Sequence, residues 1–212
     1  MQMEFGKAFK EKYFNLDPEA VFCNHGSFGA VPKSVQQYRI ELLEEVNRHP
    51  DSWFRRNSVR NLTAVAAKIS QFVGCDEEDA VLVDNATTGI SILLHSLKLA
   101  PSDRILITSH TYAAVKKAAN ECGAIVHELD IEAKVSSKES VVGMYRQALS
   151  VHNDVKLAIV DHVTSPSAML LPLAEIVEAC RENDVMILVD GAHSPGHIPL
   201  DLKALDPDFF VG

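Results

Sequence analysis

Two hydrophobic rhythms divide this chain. In residues 34–48, Val35, Tyr38, Leu42, Leu43 and Val46 recur at helical spacing and predict an amphipathic helix. A second helix is predicted over 58–73, with Gly74 as its C-cap, and a short one around 9–14. Beyond residue 75 the rhythm changes. Short runs of branched apolar residues at 80–84, 104–108, 125–129, 156–161, 185–190 and 208–211 predict strands. Helical stripes at 90–99, 113–121, 139–150 and 173–183 fall between them, and 130–138 reads as irregular. Runs such as Val185-Met186-Ile187-Leu188-Val189 are apolar on both faces, as parallel strands buried between two helix layers require.

Strands alternating with helices predict an α/β fold, a three-layer, mainly parallel, doubly wound sheet. Right-handed crossovers then bring the carboxyl ends of the strands to one edge, where open α/β sheets bind ligands. Four polar clusters follow strand ends and can converge there: Thr87 and Thr88, His110 and Tyr112, Thr164 and Ser165, Asp190 and His193. Singly, each has a plain structural explanation as a cap, a turn hydroxyl or an exposed loop residue. Four at consecutive strand ends favour a site.

Composition narrows the class. The chain has 212 residues, 47% apolar and 23% charged, which suits a globular domain with a sizeable core. A net charge of −9 and the lack of a basic run argue against a nucleic-acid partner. Cys23, Cys75, Cys122 and Cys180 are scattered, with no C-x-x-C pair, and suit reduced thiols in a cytoplasmic protein. No apolar run approaches membrane-spanning length.

The clusters suggest specific chemistry. Ala86, Thr87 and Thr88 open a helix and suit a phosphate, although neither a Walker A loop nor a dinucleotide fingerprint is present. A flat aromatic cofactor needs a ring to stack on, with His110 the first candidate and Tyr112 the second. Ser165 and His193 suit a phenolic oxygen, and Asp190 suits a protonated pyridine nitrogen. Asp190 as a simple strand-end cap is the structural alternative. A metal is the competing reading, with His25, His110, His162, His193 and Asp190 as conceivable ligands, but no pair has helix-face i, i+4 spacing, and no metal is expected.

Five stretches in order carry a family resemblance: Asn24-His25-Gly26-Ser27-Phe28-Gly29, Asp84-Asn85-Ala86-Thr87-Thr88-Gly89, Ser109-His110-Thr111-Tyr112, Asp161-His162-Val163-Thr164-Ser165-Pro166 and Val189-Asp190-Gly191-Ala192-His193. Together they resemble the class-V aminotransferase branch of fold-type I pyridoxal-phosphate enzymes, and within it the isopenicillin-N-epimerase-like group. The resemblance implies pyridoxal 5'-phosphate as cofactor, with Ala86 to Thr88 on its phosphate, His110 stacked on its ring, Ser165 and His193 near its phenolic oxygen and Asp190 on its ring nitrogen. It puts Asn24, His25, Gly26 and Ser27 on the substrate side and brings Arg56 toward the site. It further implies an amino acid or amino-acid conjugate as substrate, epimerase, C–S lyase or transaminase chemistry through a quinonoid, and a homodimer.

The sequence departs from the pattern in places. Ser109 stands where related sequences are usually acidic. The family's Schiff-base lysine is expected just beyond Gly212, so no catalytic residue is assigned within the chain. The resemblance implies an N-terminal segment at 1–75 and a cofactor-binding large domain at 76–212, incomplete at its C-terminus, with the small C-terminal domain absent. A cysteine desulfurase-like enzyme is the runner-up activity. A non-catalytic, truncated product is the alternative of another class.

Overall fold

The computed structural model describes residues 5–132 and 137–212, so residues 133–136 of the irregular stretch expected at 130–138 lie outside the described residues. The chain divides into two compact units between Val65 and Ala66. The first unit holds α1 (Lys7–Tyr13), α2 (Lys33–Arg48), a single helical turn α3 (Pro50–Ser52) and a π-helical turn (Trp53–Asn57). Helix α4 (Ser58–Val73) runs across the division, and the boundary expected from sequence at 75/76 falls just past its end. Gly74 closes α4 with φ of +73°, a conformation that costs a residue with a Cβ strain, and its N–H donates to Ser70 O at 2.8 Å.

The second unit alternates helix and strand: α5 (Ala86–Ser96), β1 (Arg104–Thr108), α6 (Ala113–Glu121), β2 (Ile125–Leu129), α7 (Lys138–Val151), β3 (Val155–Asp161), α8 (Leu173–Arg181), β4 (Met186–Asp190), α9 (Leu202–Leu205) and β5 (Phe209–Val211). The strands form one parallel sheet in the order β2-β1-β3-β4-β5. Alternation along each strand feeds two cores. Leu106, Ala158, Val160, Ile187 and Val189 face α7 and α8. Ile105, Ile107, Leu157, Ile159 and Leu188 face α5 and α6. The three central strands are therefore apolar on both sides, and burial of that surface drives the layering. No described helix is long and apolar enough to cross a membrane.

One predicted strand does not form. Residues 80–83 have no regular structure and no ladder partners among the described residues, residue 84 lies in a bend, and Val81 is 82% exposed. The apolar run fits a strand, but a strand exists only where a neighbour completes its hydrogen bonds, and none is present here. Val83 does approach the helix that follows, since a Cβ on Gly89 would lie 3.3 Å from it.

Candidate active site

Because all five strands run the same way, their carboxyl ends share one edge. Thr108, Asp161, Asp190 and Val211 are the last residues of four of them. Helix α5 begins at this edge too. A Cβ on Gly89 would stand 2.9 Å from Val211, and Val211 is the register partner of Asp190. The start of α5 therefore lies beside the end of β4.

Asn85, rather than a threonine, caps α5. Its side chain accepts the Thr88 N–H at 2.8 Å, and its carbonyl accepts Gly89 N–H at 3.1 Å. The N–H groups of Ala86 and Thr87 are left without an intrahelical partner, as at any helix start. Thr87 and Thr88 are half-buried, and neither hydroxyl is spent on a described protein group. Two open N–H groups, two hydroxyls and the positive end of a helix dipole suit an anion.

His110 is held from both ring nitrogens. Nε2 donates to Ile131 O at 2.8 Å, which leaves Nδ1 to accept from the Ser167 hydroxyl at 3.0 Å. Ser167 in turn lies 2.7 Å from the Thr164 hydroxyl. Beneath the ring the loop is knotted by Thr108 and Thr111: Thr108 N–H donates to Thr111 Oγ1 at 3.0 Å, and His110 N–H to Thr108 Oγ1 at 3.2 Å. Lys116 closes the loop from α6 by donating to Ser109 O and Glu128. The result is an imidazole in one orientation, suited to stacking against a flat ring. Ser167 and Ile131 escape a sequence reading because their partner is remote in the chain.

Asp190 is 6% exposed and accepts the Ala192 N–H at 3.1 Å. Burial raises its pKa, while the Ala192 N–H and the charge of His193 pull it back down. Asp161, 2% exposed, stands opposite Asp190 in parallel register, and one of its oxygens has no partner. Its pKa is pushed up to about 7, first by burial and then by the Asp190 charge, against the Thr111 hydroxyl and the Tyr112 N–H. Sequence reasoning missed Asp161 as a site residue. The signal was present: Leu157-Ala158-Ile159-Val160-Asp161 and Met186-Ile187-Leu188-Val189-Asp190 are two buried runs ending alike. Ser165 is half-buried on the loop leaving β3, and Tyr112 is 46% exposed at the start of α6.

The second unit thus gathers Ala86, Thr87, Thr88, His110, Tyr112, Ser165, Asp190 and His193 along one edge of its sheet. Asn24, His25, Gly26, Ser27 and Arg56 belong to the first unit. There His25 packs edge-on against Phe22, with ring centres 4.7 Å apart, and its Nδ1 accepts the Ala30 N–H at 3.4 Å. Arg56 is exposed in the π-helical turn. Among the described residues no group of three or more histidines, cysteines or carboxylates is arranged to hold a metal ion.

A parallel α/β sheet with a helix start, an aligned imidazole and a buried carboxylate at one edge has the make-up of a ligand-binding α/β protein. The family Aminotransferase class-V matches residues 28–212, and the chain belongs to that family. It is 32% identical to L-cysteine desulfhydrase of Arabidopsis thaliana over 89% of this chain and 45% of that one. It is 25% identical to isopenicillin N epimerase of Streptomyces clavuligerus over 93% of this chain and 50% of the other. Among solved structures, a C-DES mutant with glycine covalently linked to the PLP cofactor shares the fold, with a TM-score of 0.81 at 23% identity over 94% of this chain and 51% of that one. The chain spans about half the length of the curated relatives it matches.

Proposed function

We propose that these residues form the cofactor-binding part of a pyridoxal-phosphate enzyme that cleaves the C–S bond of cysteine or a cysteine conjugate. The observation that carries the reading is the buried Asp190 carboxylate beside the start of α5. The relatives at 31% and 32% identity are named as cysteine desulfhydrases, which favours C–S cleavage over epimerisation or transamination.

The residues fit the cofactor. The Ala86 and Thr87 N–H groups and the Thr87 and Thr88 hydroxyls hold a phosphate at the α5 start. His110, fixed by Ile131 and Ser167, offers its face to the ring, with Tyr112 on the next turn. Asp190 holds a proton on the ring nitrogen, and Ser165 and His193 address the phenolic oxygen. Among the described residues the positive charge acting on Asp190 is that of His193. An incoming pyridinium therefore finds an under-neutralised carboxylate. When bound, the cofactor supplies an electron sink for the bond broken at the substrate Cα. Asn24, His25, Gly26, Ser27 and Arg56 serve the substrate side, and the protein works as a homodimer.

The test is direct. Purified protein mixed with pyridoxal phosphate shows saturable binding by absorbance and fluorescence, and Asp190→Ala and His110→Ala each weaken it. Binding unchanged in both variants overturns the assignment. In the full-length protein, sulfide, pyruvate and ammonia form from L-cysteine; amino-group transfer without sulfide release sinks the C–S lyase reading. Among the described residues no lysine acts on Asp190, so borohydride treatment of these residues with the cofactor leaves no specific pyridoxyl adduct by mass spectrometry. A single adduct on one lysine of this chain, with turnover, refutes that. A fully active monomer in sedimentation excludes the dimer.

A further inference from the structure

We propose that Asp161 is a positioning residue for this site, a second carboxyl that shares one proton with Asp190 and ties the strand ends to the loop carrying His110. The inference rests on the reading above for the identity of the cofactor but draws on geometry independent of it. Asp161 and Asp190 end adjacent parallel strands as register partners; both follow residues that face α7 and α8, and lie two positions after Ile159 and Leu188, which face α5 and α6. Side-chain alternation places the two carboxyls on the same face. Like charges directly opposite each other in a sheet repel, and here both are shielded from water. Among the described residues neither a lysine nor an arginine acts on either carboxyl.

The groups around the pair come from every packed element. Asp190 faces Asp161 from β4, and His193 acts on Asp190 from the loop beyond. The Thr111 hydroxyl and Tyr112 N–H face Asp161 from the turn into α6. Tyr145, fully buried in α7 with no partner for its hydroxyl, feels the charges of Cys180 and Asp161 and is raised well above the ordinary tyrosine value, mostly by burial. Thr111 is the residue that accepts Thr108 N–H beneath His110. Asp161 therefore touches both halves of the site: through Thr111 and Tyr112 the loop under the stacking ring, and through Asp190 the carboxylate for the ring nitrogen.

Its free oxygen gives this connection a function. Asp161 Oδ2 is buried without a partner, which is costly for a carboxylate and mild for a carboxylic acid. Below its pKa of about 7 Asp161 is the acid, and Asp190 is the ionised member. A cationic ring nitrogen docking on Asp190 lowers the cost of a second negative charge. Asp161 then releases its proton to water, and two carboxylates face one cation. Cofactor affinity thereby gains a pH dependence that a single aspartate does not give.

Two measurements test this. In the first, the protein without cofactor carries 13C-labelled aspartate carboxyls, and their resonances are followed between about pH 3 and about pH 9. The resonance lost in Asp161→Asn titrates near neutrality, and in Asp190→Asn it falls back toward the ordinary carboxylate range. An Asp161 that titrates as an ordinary carboxylate, or ignores Asp190→Asn, overturns the proposal. In the second, pyridoxal phosphate affinity of the wild type and Asp161→Asn is compared by fluorescence over the same range. The two agree at acid pH, and the wild type gains by up to about tenfold per pH unit toward neutrality, the limit for release of one proton. A constant ratio across pH reduces Asp161 to a packing role and overturns the proposal. A wild type that binds no pyridoxal phosphate at any pH defeats the cofactor reading instead, and the carboxyl resonances alone then decide whether the pair shares a proton.

Discussion

The two units use the same kind of helix to different ends. In the second unit, α7 and α8 press their stripes onto the sheet, and Tyr145, Ile176 and Cys180 are wholly buried. In the first unit, no described residue is buried. On α2, Val35, Tyr38 and Leu43 are each about half exposed, at 53%, 60% and 52%, and Phe54 follows at 64%. A helical stripe therefore states that a face is to be covered without supplying the cover. The sheet meets that need within its own sequence; α2 does not. The buried core accordingly sits in the second unit, and the first leaves its apolar stripe exposed among the described residues.

The largest expected effect is on turnover. Asp190→Ala in the active enzyme nearly abolishes it with the far-ultraviolet circular dichroism intact, whereas Arg56→Ala in the first unit raises KM and spares kcat. Equal kcat losses in the two variants would erase the division of labour. Next comes the core. Ile159→Ala, at a fully buried position, costs ~2–5 kcal/mol in denaturant unfolding, while Leu43→Ala on α2 stays within ~0.5 kcal/mol. A large cost at Leu43 would mean its face is already covered in solution.

Gly191→Ala sharpens the contrast at the site itself. A Cβ there would lie 2.0 Å from the Phe210 ring, so the ring must move, at ~1–3 kcal/mol, and the carboxylate one residue earlier shifts with it. The expected result is a lower midpoint together with weaker pyridoxal phosphate binding; an unchanged affinity would show that Asp190 is held independently of that contact.

The smallest effect is at the opposite end of the sheet. His127 on β2 packs against His152, with ring centres 4.6 Å apart and the rings tilted by 54°, near the Arg104–Asp154 ion pair. Burial, then His152 and Arg104, lower its pKa below the ordinary 6.5, with Asp154 opposing. The unfolded chain therefore takes up the proton first as pH falls through 6.5, and stability declines there. His127→Gln should flatten that part of the stability curve; an unaltered slope assigns it elsewhere.

Much of this arrangement was legible before any coordinates. Helix 58–73 and the strands at 104–108 and 125–129 declared themselves because apolar periodicity and terminators agreed. His110 and Asp190 were visible because a parallel sheet fixes where strand ends point. Residues 80–84 misled because their composition is that of a strand while pairing is not a local property. Asp161 carries no signal of its own along the sequence, since repulsion between two aspartates 29 positions apart exists only once β3 and β4 lie side by side. Ser167 went unnoticed for the same reason: its bond to His110 spans 57 residues.

The strand order β2-β1-β3-β4-β5 also bears on how the protein is made. Once β1 and β2 have paired, each later strand adds beside one already emerged: β3 on the free side of β1, then β4, then β5. No strand must wait for a later one to be inserted between it and its neighbour. The sheet can thus be laid down in the direction of synthesis despite its sequence-distant pairings, which slow the refolding of a complete chain. While Phe209-Phe210-Val211 stands unpaired on its outer side, it carries no charge within the strand to deter a second chain. Slow translation therefore favours soluble yield, whereas rapid refolding from denaturant at high concentration favours aggregation.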